Sequence, residues 1–234
     1  MLNLEIKKIP SLFVEFFIVI LGVIIALAAD SWREDWVESQ EEKLYLQRLA
    51  QDLNYGIEIL NRERKIFSSV QDSALILSDA IESSERLDDG SFVIQHLIQA
   101  GQHGVDRAEM EHDLTFQELI ESGRLGLIED SDLRSRLIAY YREANWLISS
   151  LQSLPPANRS FIQAIGLFPA EFGEYGAEIT STQREKLLAI VREDRELPGL
   201  LRRLHASLVF LDRLFEKLIP MAQELAADVE LAID

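Results

Sequence analysis

The side chains best suited to binding a metal ion or moving a proton lie in one polar segment, residues 101–114. Two histidines and four carboxylates occur there: His103, Asp106, Glu109, Glu111, His112 and Asp113. Imidazole nitrogens and carboxylate oxygens are common ligands of zinc and iron. Their spacing matches no helical metal motif such as H-E-x-x-H. Carboxylates are frequent throughout a chain with 40 acidic and 23 basic residues, so we predict neither a metal site nor a cofactor.

The other candidates for chemistry are isolated residues. Tyr140, Tyr141 and His205 lie in apolar helical patterns, where single polar side chains are usually structural. The sequence has no nucleophile elbow, phosphate-binding loop or paired metal-ligand motif. It also has no cysteine, which excludes disulfides, thiolate catalysis and cysteine zinc sites. We predict no catalytic residues and no enzymatic activity.

Composition narrows the choice of partners. The formal net charge is −17 over 234 residues. A surface this acidic repels nucleic acid and anionic lipid, so we expect no nucleic-acid partner. The length suits one membrane segment and one domain of about 200 residues.

The dominant element is an apolar stretch from Leu12 to Ala29, in which Glu15 is the only charge. As a helix it spans roughly 27 Å, close to the ~30 Å hydrocarbon core of a bilayer. It has no polar face, which is typical of a helix surrounded by lipid. We predict a single transmembrane helix. Two alternatives remain: a signal peptide cleaved near Ala26-Leu27-Ala28, or the core helix of a soluble protein.

Several residues in and beside this helix indicate how it would sit in a membrane. Glu15 lies about one turn inside the helix and can reach the interface. Gly22 and Ala26 have the small-xxx-small spacing that lets membrane helices approach closely. Trp32 and Trp36 fit an interfacial belt, although Trp36 could equally pack into the domain.

Orientation follows from the basic residues beside the helix. Lys7 and Lys8 directly precede it, and acidic residues dominate its other side. By the positive-inside rule, the N-terminus faces the cytoplasm and the C-terminal domain lies outside.

Two long apolar seams follow the membrane segment, at alternating steps of three and four residues. The first comprises Leu46, Leu49, Leu53, Gly56, Leu60, Glu63, Phe67, Val70, Ala74, Leu77 and Ile81. The second comprises Leu201, Leu204, Leu208, Leu211, Phe215, Leu218, Ala222, Leu225, Val229 and Ala232. They predict antiparallel helices over about 36–86 and 198–231, whose seams pack within one chain or against another. The first helix either restarts at a Ser31–Glu34 capping box or continues from the membrane.

Shorter helices occupy the region between the seams. Asp88-Asp89-Gly90 is predicted to end the first long helix. A Thr115–Glu118 capping box predicts a helix to Glu121, which Gly123 stops in a left-handed conformation. Asp130 or Ser131 then caps a helix over 131–152. Its apolar face is Leu133, Leu137, Tyr140, Ala144, Leu147 and Leu151.

The sequence thus predicts an all-α protein: an N-terminal transmembrane helix followed by an elongated antiparallel helical bundle with coiled-coil-like seams. The predicted organisation is a short tail at 1–11, the membrane helix at 12–29 and a helical bundle domain at 30–234. A tail this short is not expected to hold a signalling output module.

Two segments, IVILGVIIALAADSW and FQELIESGRLGLIEDSDLRSRLIAYY, together resemble a group of uncharacterised bacterial single-pass membrane proteins. That group has an N-terminal membrane helix followed by Trp, and a downstream helix-Ser-Gly-x-Leu-x-Leu-Ile-helix motif. The matching positions are Trp32, Ser122, Gly123, Leu125, Leu127, Ile128, Leu133, Tyr140 and Tyr141. Ala29-Asp30 departs from the asparagines that many members carry. The resemblance implies a bacterial envelope protein with a helical domain, favours the anchor over the signal peptide, and carries over no activity. Together with the orientation predicted from Lys7 and Lys8, it leads us to expect a protein of the bacterial inner membrane whose C-terminal domain is periplasmic.

We expect a non-catalytic protein, anchored in membrane lipid, that scaffolds or interacts with itself or with an envelope protein. The alternative is an extracytoplasmic ligand-binding or sensory domain that signals through a membrane partner, with Glu15, Gly22 and Ala26 as contact candidates.

Overall fold

The computed structural model describes residues 8–101, 113–153 and 181–233, which are helical with no strand among them. The described α-helices are α1 (Lys8–Ser83), α2 (Gly90–Ala100), α3 (Leu114–Glu121), α4 (Ser131–Ser153), α5 (Ser181–Glu193) and α6 (Leu197–Ile233). A 3₁₀ turn, Arg124–Leu127, joins α3 to α4. The predicted all-α class is confirmed, with a long apolar helix at the N-terminus.

Helix α1 is a single rod of 76 residues. At about 1.5 Å per residue it is roughly 114 Å long. No helix restarts at Ser31, because α1 passes through this position without interruption. The rod ends at Ser83, where Ser84 and Arg86 adopt positive φ angles of 56° and 59°.

The prediction that Asp88-Asp89-Gly90 ends the first long helix is wrong. The side chain of Asp89 accepts hydrogen bonds from the backbone N–H groups of Ser91 and Phe92. It therefore caps the start of α2, because a short acidic side chain satisfies N–H groups that have no partner in the first turn.

Polar contacts show that α6 runs antiparallel to the C-terminal part of α1. Asn54 bonds Glu230 near one end, and Arg64 bonds Asp212 at 2.7 Å near the middle. At the other end, Arg202 bonds Glu82 at 2.6 Å. Along the pair, the residue numbers on α6 decrease as the residue numbers of the contacting residues on α1 increase.

The two predicted seams are the buried faces of these helices. Every residue of the first seam is buried except Ile81, which is half-buried, and every residue of the second is buried except Ala232, which is exposed. Phe67 and Phe215 meet across the pair, with ring centroids 5.9 Å apart. Glu63 lies fully buried in the first seam. Removing this apolar surface from water is the main stabilising term, at about 25 cal/mol per Å².

Helices α2, α3, α4 and α5 complete the described core. Helix α4 also runs antiparallel to α6, with an ion pair between Glu143 and Lys217 at 2.7 Å and an edge-on ring contact between Trp146 and Phe210. Its predicted apolar face is buried from Leu133 to Leu147. Helix α2 packs on α1, and α5 packs on α2.

Candidate functional site

The first part of α1 makes no contact that shields it. From Val14 to Glu38 every residue is exposed, although Val14–Ala29 is apolar apart from Glu15. It is the one described helix that is long and apolar enough to cross a membrane, and its most apolar window is wholly unburied. The alternative of a buried core helix is therefore wrong for the described residues.

The predicted membrane residues all lie on this uncovered rod. Glu15, Gly22 and Ala26 are exposed. Trp32 is 74% exposed and Trp36 is 58% exposed. Packing of Trp36 into the domain is contradicted by that exposure, and the interfacial interpretation remains.

Where α1 first meets the folded domain, it binds α3 through a polar cluster that we call the α1–α3 junction: Tyr45, Arg48, Asp52, Thr115 and Glu118. The Tyr45 hydroxyl donates to Glu118 Oε1 at 3.0 Å, and Arg48 donates to Glu118 Oε2 at 2.5 Å. The hydrogen bond from Arg48, followed by that from Tyr45, lowers the pKa of Glu118. The junction fixes α3 against α1 about four turns beyond the apolar segment.

The predicted capping box at Thr115 is wrong. Helix α3 begins at Leu114, and the Thr115 backbone N–H donates to Asp52 Oδ2 of α1 at 3.0 Å. Glu118 turns instead toward Arg48. A carboxylate on a neighbouring helix thus satisfies the start of α3, in place of a local side chain.

The Ser-Gly-x-Leu-x-Leu-Ile motif forms the turn that returns the chain toward α1. Ser122 ends α3 and its hydroxyl donates to the Glu118 carbonyl at 2.6 Å. Gly123 adopts φ +70°, which confirms the left-handed prediction. Ile128 is fully buried, while Leu125 and Leu127 are partly buried against the core.

Two acidic side chains hold the end of this turn. Glu42 of α1 accepts the Glu129 backbone N–H at 2.7 Å. Asp130 accepts the backbone N–H groups of Leu133 and Asp132, so Asp130 and not Ser131 is the one of the two predicted residues that caps α4. These hydrogen bonds, the one from Leu133 first, lower the pKa of Asp130.

The paired tyrosines of the motif lie deep in the core behind the junction. Tyr140 and Tyr141 are buried, and Phe116 of α3 stacks on Tyr141 at 4.3 Å. Burial raises the pKa of both phenols above the ordinary range. Burial therefore favours the uncharged form of both side chains. Within the described residues, the Tyr141 hydroxyl and Asp113 Oδ1 are buried without a hydrogen-bond partner.

The polar side chains described above mainly contact neighbouring helices. Among residues 8–101, 113–153 and 181–233, no three His, Asp or Glu side chains gather as a metal site. The histidine–carboxylate segment lies outside the described residues, except for Asp113. His205 is half-buried and contacts the carbonyl oxygen of Gln71 at 3.2 Å.

The α1 residues of the junction were not predicted from the sequence. Tyr45, Arg48 and Asp52 follow one another at spacings of three and four residues, so they share a helix face beside the apolar seam. That spacing is visible in the sequence. Their partners lie about 60–70 residues further on, and only the folded chain brings them together.

No protein-family model, curated protein or solved structure matches this chain. The resemblance to bacterial single-pass membrane proteins therefore stays a prediction based on the two sequence segments.

Proposed function

We propose that this protein is a single-pass, non-catalytic membrane protein that holds a helical domain at the membrane surface for interaction with itself or with an envelope partner. The observation that carries the proposal is the unbroken course of α1. One helix contains both the uncovered apolar segment and the seam that organises the domain.

Solvent preference supports placing Val14–Ala29 in lipid. Large apolar side chains such as Phe17 and Leu27 are more than 60% exposed, and each gains about 1.5–3 kcal/mol by leaving water. A bilayer removes all of them from water at once. Trp32 then lies within about 5 Å of the end of the apolar segment, at headgroup level.

Helix continuity also favours an anchor over a cleaved signal. The small residues Ala26 and Ala28 lie inside a helix that continues to Ser83 without a break. We propose that the N-terminus is cytoplasmic, as Lys7 and Lys8 indicate. The domain would lie on the periplasmic side of a bacterial inner membrane, as an elongated antiparallel bundle whose seams pack as in a coiled coil.

The polar contacts support a structural role over catalysis. At the junction, Arg48 and Glu118 satisfy each other, and along the rod Arg64 pairs with Asp212 and Glu216. Side chains committed to such pairs position helices, and they do not need a bound substrate to be satisfied.

Carbonate extraction of membranes from cells that express the full chain tests the anchor. We expect the protein to stay in the pellet. A variant with Leu21→Lys and Ile25→Lys should move to the supernatant, because each central lysine costs about 2.5–3.5 kcal/mol in a bilayer. Gln223→Lys, an exposed change on α6, is the matched control and should stay in the pellet. Release of the unmodified chain, or a mature N-terminus near residue 29, would refute the anchor, and reporter fusions at the C-terminus test the orientation.

A further inference from the structure

One face of α1 is uncovered and free of acidic side chains. At about 100° per residue, eight residues between positions 29 and 55 lie within about 40° of a single line along the helix. They are Ala29, Arg33, Val37, Gln40, Leu44, Gln47, Gln51 and Tyr55. All eight are exposed. We call this set the acid-free face, and it is about 39 Å long.

Acidic residues are common on the rest of the same segment. Between positions 29 and 55 they number seven: Asp30, Glu34, Asp35, Glu38, Glu41, Glu42 and Asp52. By the same helical geometry, each is about 60° or more from the centre of the acid-free face. Arg33 is the single charged member of the face, and it pairs with Asp30 of its own helix at 3.6 Å.

The fold places this face away from the protein's own core. Leu49, Leu53 and Leu60, which pack in the seam, lie on the opposite side of the helix. Leu44 and Tyr55 are 55% and 52% exposed, so the two largest uncharged side chains of this face are open to contact with another surface.

The same face continues into the apolar segment. Because α1 has no break between Lys8 and Ser83, its angular phase is continuous. Gly22 and Ala26 lie on the continuation of the line of the acid-free face. Glu15 lies on the same line near the start of the membrane helix, outside the 29–55 segment that defines the face, where its side chain can reach the interface. A second helix parallel to α1 can therefore follow one line of this helix both in the apolar segment and in the domain.

We propose that the acid-free face binds a second copy of this chain, with the two α1 helices parallel. This inference rests on the proposed membrane anchor and names its partner. A chain of net charge −17 repels its own copies, so close self-contact needs a face from which acids are absent. A basic partner would be drawn instead to the acidic sides of α1.

A parallel pair also gives the uncharged positions of the face suitable partners, while Arg33 stays paired with Asp30 of its own helix. About a two-fold axis, each residue faces its own counterpart. Val37 and Leu44 meet apolar side chains, and Gln40, Gln47 and Gln51 meet amides that both donate and accept hydrogen bonds. Because the anchor holds both copies in one orientation in the plane of the membrane, contacts along this partly polar face are sufficient for pairing.

Disulfide crosslinking of the full chain in native membranes tests the proposal, because the natural sequence contains no cysteine. Single variants Val37→Cys, Gln40→Cys and Leu44→Cys should form homodimers under mild oxidation, since a disulfide requires Cα atoms about 4.4–6.8 Å apart. Asp35→Cys and Glu38→Cys are the matched controls, exposed on the opposite side. We expect the face positions to crosslink at least about fivefold more than these controls.

Gln40→Glu supplies a second arm, because it adds a charge to the face with almost no change of shape. In the Leu44→Cys background it should reduce crosslinking about threefold, the size expected for one exposed like-charge contact. Ser31→Glu adds the same charge on the opposite, exposed side of α1 and should leave crosslinking unchanged.

Carbonate extraction of every variant separates the two proposals. If the variants stay in the membrane but crosslink at no position, or equally at both sets of positions, the parallel pair is refuted and the anchor stands. If the cysteine variants and the unmodified chain leave the membrane, the proposed function fails and the pair fails with it.

Discussion

Gly123 offers a sharp test of the turn that returns the chain toward α1. Its φ of +70° is a conformation that costs an L-residue about 1–2 kcal/mol. A Cβ added there would meet no atom within 4 Å, so the cost is conformational and not steric. Replacing glycine also restricts the unfolded chain, which returns about 0.4–1 kcal/mol. We therefore expect Gly123→Ala to lower the free energy of unfolding by about 1 kcal/mol.

Gly126 is the matched control, three residues away in the same turn. It also has open space around its Cα, but its φ is not positive. Gly126→Ala should therefore be neutral or stabilise the protein by up to about 1 kcal/mol. Gly123→Asn should lose less than Gly123→Ala, because asparagine tolerates the left-handed region.

The assay is thermal unfolding of the full chain in detergent, followed by far-ultraviolet circular dichroism. A loss of 1 kcal/mol corresponds to about 2–4 °C in Tm for a domain of this size. Equal Tm values for Gly123→Ala and Gly126→Ala would refute the argument from backbone conformation. So would a Tm for Gly123→Asn below that of Gly123→Ala.

Three further predictions concern buried side chains. Tyr141→Phe removes a buried hydroxyl that lacks a partner and should raise the urea midpoint or leave it unchanged. Tyr45→Phe loses a hydrogen bond to a carboxylate and should lower the midpoint, because the free energy of unfolding falls by about 1 kcal/mol. The reverse order would contradict the hydrogen-bond assignment. Burial lowers the pKa of His96, so the folded state binds fewer protons than the unfolded state and loses stability as pH falls below about 6.5. From pH 7.5 to pH 5.5 the urea midpoint should therefore drop less in His96→Gln than in the unmodified chain. An equal drop in the two proteins would exclude this histidine as a cause. Phe215→Ala empties a fully buried site and should lower the free energy of unfolding by about 3–5 kcal/mol. Phe210 is half-exposed, so Phe210→Ala should lower it much less in the same urea titration. Equal losses would contradict the assigned core.

Much of the fold follows from patterns within a few residues of each other. The three-four rhythm of Leu201 to Leu218 predicts which face of α6 is buried, because residues at that spacing lie on one side of a helix. The Asp130 cap and the left-handed Gly123 were likewise predictable, since each depends on the conformation of its own turn.

The error at Thr115 occurred where a distant residue replaced a local one. Thr115 and Glu118 have the spacing of a capping box, yet Asp52 and Arg48 of α1 bind them instead. Whether a helix restarted at Ser31 was also open from the sequence, because a capping box favours a start but does not force one. The contact that replaces the Thr115 capping box and the continuity of α1 through Ser31 both depend on residues far from these positions in the sequence.

Residue type and helical period were enough to predict the apolar segment of α1 and the two seams, because both features depend only on which residues recur along one helix. The folded chain was needed to show that α1 is one helix, that its apolar segment and its domain part are therefore in phase, and that Tyr45, Arg48 and Asp52 of α1 hold α3. These features depend on which distant segments meet, and that is set by the packing of the whole chain.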